Sequence, residues 1–277
     1  MNGSIKTILL LGILSVILIS FGRIIGGVSG MYTFLIIALI MNGVSYFFSD
    51  KIALMASGAK PLSQKQAPKL YTMIEDLTKK MHLPMPKLYM TPDRQANAFA
   101  TGRSPNHASV AVTQGILDTL NKEELRAVLA HELGHVKNRD ILIATVAAVL
   151  ASAISFIGNM MLFRGYSDDD EGNAGGAIAL IAAILVPIGA SLVQLAISRQ
   201  REFGADETGA RTIGDGRPLA SALLAISDST KRVPMRHNPA FSSLYIENPF
   251  GRSGGLIQLF STHPPVEERV RRLREIK

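Results

Sequence analysis

The sequence contains two histidines four residues apart, with a glutamate directly after the first, in the segment AVLAHELGHVKNRD from Ala127 to Asp140. On a helix His131 and His135 lie one turn apart and face the same way, so two imidazoles can bind one metal ion. Glu132 lies off that face, where it can take a proton from an attacking water and pass it to the leaving nitrogen of a peptide bond. The pattern predicts a metal-dependent hydrolase. The alternative is a helix surface with two solvated histidines.

A catalytic zinc site usually has three protein ligands, so a third ligand must come from elsewhere in the chain. The segment SRQREFGADE offers Glu202, and Asp206 falls on the same helical face one turn later. A carboxylate on a second helix would complete a site for one zinc ion per chain, and the second acid can orient a histidine through its other ring nitrogen. The alternative is a solvated helix face on which both acids pair with Arg199 and Arg201.

The elements that position these residues include four long stretches without a charged residue. About 20 apolar residues form a helix that crosses a bilayer. Three stretches are long enough, and the first qualifies because Lys6 and Arg23 can extend their charged ends outward. The four predicted transmembrane helices are Thr7 to Gly22, Ile24 to Ser49, Ile141 to Phe163 and Gly172 to Ser198. A signal peptide is the alternative for the first stretch, and a buried core helix is the alternative for the fourth.

The basic residues predict the orientation of these spans. Of 29 Lys and Arg, 13 lie in residues 50–140 and 13 in residues 199–277, whereas the two short opposite loops contain only Arg23 and Arg164. Basic residues favour the cytoplasmic side, so both termini and the active site are expected there. The predicted domains are a transmembrane hairpin (1–49), a protease segment with the histidine helix (50–140), a second hairpin with a short acidic external loop (141–198) and a second protease segment (199–277).

The segments outside the apolar stretches predict an α+β protease domain. Apolar residues recur at helical spacing from Gln64 to Met81, which indicates an amphipathic helix. Three β-rich segments between Pro and Gly residues predict a small antiparallel sheet. Asn121 and Glu124 form a capping box at the start of the histidine helix. The three segments are Pro86 to Pro92, Asn97 to Gly102 and His107 to Thr113.

Composition excludes several other classes of protein. The chain has no cysteine, which excludes disulfides and thiolate metal sites. Its net charge of +7 does not predict a nucleic-acid partner, because acids alternate with the basic residues and no reader motif is present. A metal transporter would need ionisable residues inside the spans, and the four stretches have none.

Five separated motifs resemble the HtpX family of bacterial membrane zinc metalloproteases. They are HELGH with NRD, an apolar insert, SRxREFxAD, NAFATG upstream and STHPP near the end. The resemblance implies a zincin-type domain in which His131, His135 and Glu202 bind zinc, Glu132 is the catalytic acid/base and Asp206 supports the ligands. It also implies a multi-pass endopeptidase of the bacterial inner membrane that clears misfolded membrane proteins under stress.

The resemblance leaves the substrate open, because prenyl-protein-processing proteases share the metal signature. A specific processing protease and a proteolytically silent scaffold therefore remain alternatives, and the oligomeric state is unknown. By the same resemblance Asn97, Ala98 and Phe99 lie on an edge strand that pairs with an extended substrate. Core packing is the alternative for Phe99. His263 precedes two prolines, so it is either a structural cap or a residue near the zinc.

Overall fold

The computed structural model describes residues 3–147, 149–150, 199–232, 246 and 264–276. The predicted fourth span, the acidic loop, most of the third span and His263 lie outside these residues. Among the described residues, a single helix, Gly26–Ala56, is long and apolar enough to cross a membrane, and Thr7–Ser20 is a shorter apolar helix. The prediction of four spans is therefore not confirmed.

The N-terminal residues form a helical hairpin. Helix α1 (Gly3–Ala56) contains two arms that meet at a kink, where Gly26 and Gly27 leave helical geometry and Gly27 has a φ of 59°. The arms contact each other. The Asn42 amide donates to the hydroxyl of Ser15 across the hairpin at 2.8 Å. The turn thus forms where two glycines permit backbone angles that other residues avoid.

Among the described residues the sheet has four strands in the order β1-β2-β4-β3, and the prediction that it is antiparallel throughout is wrong. Strand β4 pairs parallel with β2 and antiparallel with β3. Strand β4 lies between β2 and β3, so β3 is at one edge of the described sheet, and every residue of both β3 and β4 is buried. The strands are β1 (Lys60–Pro61), β2 (Lys87–Thr91), β3 (Ala98–Gly102) and β4 (Ala108–Thr113).

One face of the sheet packs on helices and contains the main core. Helix α2 (Pro68–Met81) buries the five apolar residues that its periodicity predicts, and α3 (Gln114–Thr119) follows β4 directly. Helix α4 (Lys122–Lys137) begins at the predicted capping box, in which Asn121 accepts from two backbone N–H groups. The opposite face holds a second cluster in which Phe99 packs with Ala53 and Leu54 of α1.

Four further helices belong to the described residues. Residues 141–147 form the start of α5, whose buried residues pack against the first arm of α1. Helices α6 (Arg199–Ile213) and α7 (Arg217–Arg232) pack against α4, and α8 (Val266–Arg274) packs against α7 and α6. Helix α8 starts directly after Pro265, as the two prolines predict. The Arg272 guanidinium stacks 3.7 Å from the Phe203 ring centroid and joins α8 to α6.

Candidate metal centre

Two glycines allow the two ligand-bearing helices to touch. A Cβ atom on Gly134 of α4 would lie 3.0 Å from the carbonyl oxygen of Ala205. A Cβ atom on Gly209 of α6 would lie 2.9 Å from the backbone nitrogen of His131. Both distances are shorter than ordinary van der Waals contact, so glycine is required for the observed approach. This approach brings Glu202 to the two histidines.

The ligand atoms of His131, His135 and Glu202 lie within 4.8 Å of one another. Nε2 of His131 is 3.9 Å from Oε2 of Glu202, and Nε2 of His135 is 3.5 Å from its Oε1. Two tetrahedral ligands at normal zinc distances are separated by roughly 3.3–3.4 Å. The donor set and its spacing therefore fit a single divalent ion. His131 and Glu202 are buried, and His135 is partly buried.

Glu132 is fixed between α4 and the edge strand of the sheet. Its Oε2 accepts a hydrogen bond from the Ala100 backbone N–H at 3.0 Å. Burial raises its pKa to about 8, against the opposing effect of His135. A carboxyl group whose pKa lies near neutral pH is suited to accept a proton and return it. The predicted acid/base residue thus lies beside the two histidines on α4.

Asp206 lies beside the first histidine, and its own partner is Arg269 of α8. Oδ1 of Asp206 lies 2.9 Å from Nδ1 of His131. Arg269 is 1% exposed and donates to both carboxylate oxygens, from Nε at 2.9 Å and from Nη2 at 2.7 Å. Burial lowers the pKa of Arg269, but Asp206 more than offsets this effect. Arg269 was not predicted from the sequence, although it lies on the buried face of α8 with Val270 and Leu273.

Asp140 has the corresponding position beside the second histidine. Its Oδ2 lies 3.4 Å from Nδ1 of His135, and its Oδ1 lies 3.9 Å from Nε of Arg201. Burial lowers the pKa of Arg201, and Asp140 acts in the opposite direction. Each histidine thus has a carboxylate near Nδ1, and its Nε2 faces Glu202, although Nη2 of Arg269 also lies 3.5 Å from Nε2 of His131. Asp140 ends the NRD segment, but its role was not predicted from the sequence.

The two histidines have different pKa values. Burial lowers the pKa of His131 to about 4, so its ring is neutral at pH 7. Burial also lowers the pKa of His135, but Glu202 and Asp140 more than compensate and raise it to about 9. Only a neutral imidazole binds a metal, so loading at neutral pH displaces a proton from His135.

The predicted substrate strand is the edge strand β3, with Asn97 directly before it. The Asn97 side chain is buried, and its Oδ1 accepts from the backbone N–H of Ile246 at 3.1 Å. Its Nδ2 has no hydrogen-bond partner among the described residues. The Phe99 side chain packs in the core, whereas Ala98 has a small buried side chain on the opposite face of the sheet.

Comparison with known proteins identifies the family. The sequence profile of peptidase family M48 matches residues 64–277. The chain belongs to that family. "Protease HtpX homolog" of Pelotomaculum thermopropionicum is 50% identical over 98% of both chains, and the protein of that name from Pyrococcus furiosus is 48% identical over 98% of this chain and 95% of its own length. These M48 relatives and the ligand cluster show a metalloprotease, as predicted.

A solved structure supports the fold of the M48 chain. The crystal structure of S. mikatae Ste24p superimposes with a TM-score of 0.51 and 19% sequence identity. The match covers 98% of this chain and 62% of Ste24p. At this identity the likeness concerns the fold alone. The family implies a divalent metal, which the described donor set fits.

Proposed function

We propose that this M48 chain is a membrane-bound zinc endopeptidase that hydrolyses misfolded or damaged membrane proteins. The observation that carries the proposal is that the ligand atoms of His131, His135 and Glu202 lie within 4.8 Å of one another. Glu132 lies beside the two histidines on α4. Two imidazoles and one carboxylate are the ligand set of several zinc hydrolases. A zinc ion held by His131, His135 and Glu202 would lower the pKa of a water molecule and polarise a peptide carbonyl.

The remaining chemistry belongs to residues of the chain. Glu132 takes the proton of the attacking water, and the Ala100 N–H keeps its carboxylate in one orientation. It then returns the proton to the leaving nitrogen as the peptide bond breaks. Asp206 and Asp140 fix the histidine rings through Nδ1. The role of His263 stays a prediction, since it lies outside the described residues.

The substrate proposal rests on β3. Its position at the sheet edge suits pairing with an extended backbone, a mode with little sequence preference. Low preference suits the removal of damaged proteins better than the processing of one substrate. Intact ligands and an intact Glu132 argue against a silent scaffold.

The location proposal rests on Gly26–Ala56 and on the distribution of basic residues. Together they support an inner-membrane protein with its active site on the cytoplasmic side. Substrates are then membrane proteins or their cytoplasmic segments.

The test separates metal binding from catalysis. Glu132→Gln should bind zinc with wild-type stoichiometry and lose cleavage of unfolded casein, whereas Glu202→Ala should bind zinc weakly. Bound metal is measured by mass spectrometry after gel filtration, and cleavage is measured with and without a chelator. Equal loss of metal in the two variants, or casein cleavage by a zinc-free protein, would contradict the assigned roles.

A further inference from the structure

Strand β3 runs along helix α1 toward its uncharged stretch. Phe99 lies in one buried cluster with Ala53 and Leu54, whereas the Arg103 guanidinium lies 5.8 Å from the ring centroid of Phe47. Six or seven helical residues span roughly 10 Å, and four strand residues span roughly 13 Å. The end of β3 therefore lies nearer to the uncharged stretch of α1 than its start does. Phe47 lies within the uncharged stretch, so the end of β3 approaches the predicted membrane level.

Helix α5 gives the same direction independently. The Ala100 N–H contacts Glu132 at the metal centre, whereas the next residue, Thr101, places its hydroxyl 3.0 Å from that of Thr145. Thr145 lies five residues beyond Asp140, inside the uncharged stretch that begins at residue 141. The contacts of β3 with α1 and with α5 thus both indicate that β3 runs from the metal centre toward the apolar stretches.

This direction determines how a bound substrate is oriented relative to the membrane. Antiparallel pairing is slightly more stable than parallel pairing. A peptide that pairs antiparallel with β3 begins where the strand ends, beside Arg103 and Phe47. Its N-terminal end therefore lies nearest the membrane, and its C-terminal end extends past Asn97 away from it.

We propose that the enzyme prefers substrates in which the cleaved bond follows a transmembrane helix closely. This inference rests on the proposed function and names its substrate class: membrane proteins cut in the segment that emerges C-terminal to a span. From Ala100 to Arg103 is roughly 10 Å at about 3.3 Å per residue. An extended substrate reaches the predicted membrane level in about three residues, so cuts are expected about three to eight residues from the span.

The test uses two single-span substrates that contain the same unfolded segment. In one the span precedes the segment, and in the other it follows the segment. The full-length zinc-loaded enzyme is assayed with each in bicelles, whose two faces are both accessible, and with the free segment as a soluble peptide. The substrate whose span precedes the segment should be cleaved at least about tenfold faster than the substrate whose span follows it. Only in the first substrate does the anchored segment meet β3 in the antiparallel direction at a high effective concentration.

A linker series tests the distance. A linker of 10 or 20 Gly/Ser residues, roughly 30 or 60 Å at full extension, is inserted between the span and the segment. The cuts should stay at the same distance from the span, so they should fall in the linker and no longer in the segment. Mass spectrometry of the products locates the cuts. Equal rates for the two orders, a faster reverse order, or cuts that follow the segment would overturn the inference. If the free segment is cleaved in those cases, the proposed protease function still stands. If no substrate is cleaved, both this inference and the proposed function are overturned.

Discussion

Replacement of Gly209 by Ala tests whether close helix contact controls metal binding. A methyl group there would stand 2.9 Å from the His131 nitrogen and 3.1 Å from the Ala130 carbonyl carbon, and ordinary contact begins at 3.4 Å. Helices α4 and α6 must then separate by about half an ångström, an overpacking that costs about 1–3 kcal/mol. Better helix propensity returns about 0.5–1 kcal/mol. We expect a net loss of about 0–2.5 kcal/mol in the free energy of unfolding.

The effect on metal binding should exceed the effect on folding. Glu202 moves with α6, and zinc ligands tolerate displacements of only about 0.2 Å. We therefore expect zinc affinity to fall by on the order of tenfold or more, as for loss of a residue that orients a ligand. Competition with a chromophoric chelator measures the affinity, and denaturant unfolding of the metal-free protein measures stability.

Gly204 provides a matched control on the same helix. A Cβ atom there meets only Nδ2 of Asn138, at 3.7 Å, so Gly204→Ala gains helix propensity without a clash. This variant should be slightly more stable than wild type and bind zinc normally. If Gly209→Ala bound zinc like Gly204→Ala and were equally stable, the reasoning from helix contact would be refuted.

Three further predictions concern the groups around the ligands. Arg269→Leu leaves the Asp206 carboxylate buried without its partner, so thermal unfolding of the metal-free protein should show a loss of about 3–5 kcal/mol in stability. Arg269→Lys should have an intermediate stability. Equal stability of wild type and both variants would refute the pairing. Burial raises the pKa of Asp206, but Arg269 and His131 bring it to about 2. A depressed pKa stabilises the fold above the unfolded value of about 3.9, and this contribution is lost toward pH 2. Between these pH values the free energy of unfolding, measured by urea titration, should therefore fall less for Asp206→Asn than for wild type. An equal fall in the two proteins would contradict the assignment. Asp140→Asn should weaken zinc binding about tenfold in chelator competition while zinc-saturated cleavage persists; unchanged affinity would exclude a role in orienting His135.

Local patterns made the metal helix predictable from the sequence. The capping box at Asn121 and the histidine spacing each depend on residues within one or two turns. The five buried positions of α2 follow from helical periodicity for the same reason. The hairpin turn at Gly26 and Gly27 is equally local, because it depends on the conformational freedom of two adjacent residues.

Features that depend on distant contacts were missed. The parallel pairing of β2 with β4 joins strands that are not consecutive in the chain, and the sequence of a single strand does not determine its neighbours. Asp140 reaches His135 because Arg139 adopts a left-handed backbone with a φ of 59°, a conformation that a bulky residue rarely adopts. Arg269 resembles the exposed arginines around it, but it shares the helical face of Val270 and Leu273, which was the available signal.

The partnership of Arg269 with Asp206 also affects biosynthesis. Arg269 follows His131 by 138 residues, so a ribosome-bound chain that already contains every ligand still has Asp206 without its counter-ion. A buried carboxylate in that condition is costly, and the ligand helices cannot settle against each other until α8 has emerged and docked. Translation order therefore delays the assembly of the complete site until α8 has been made.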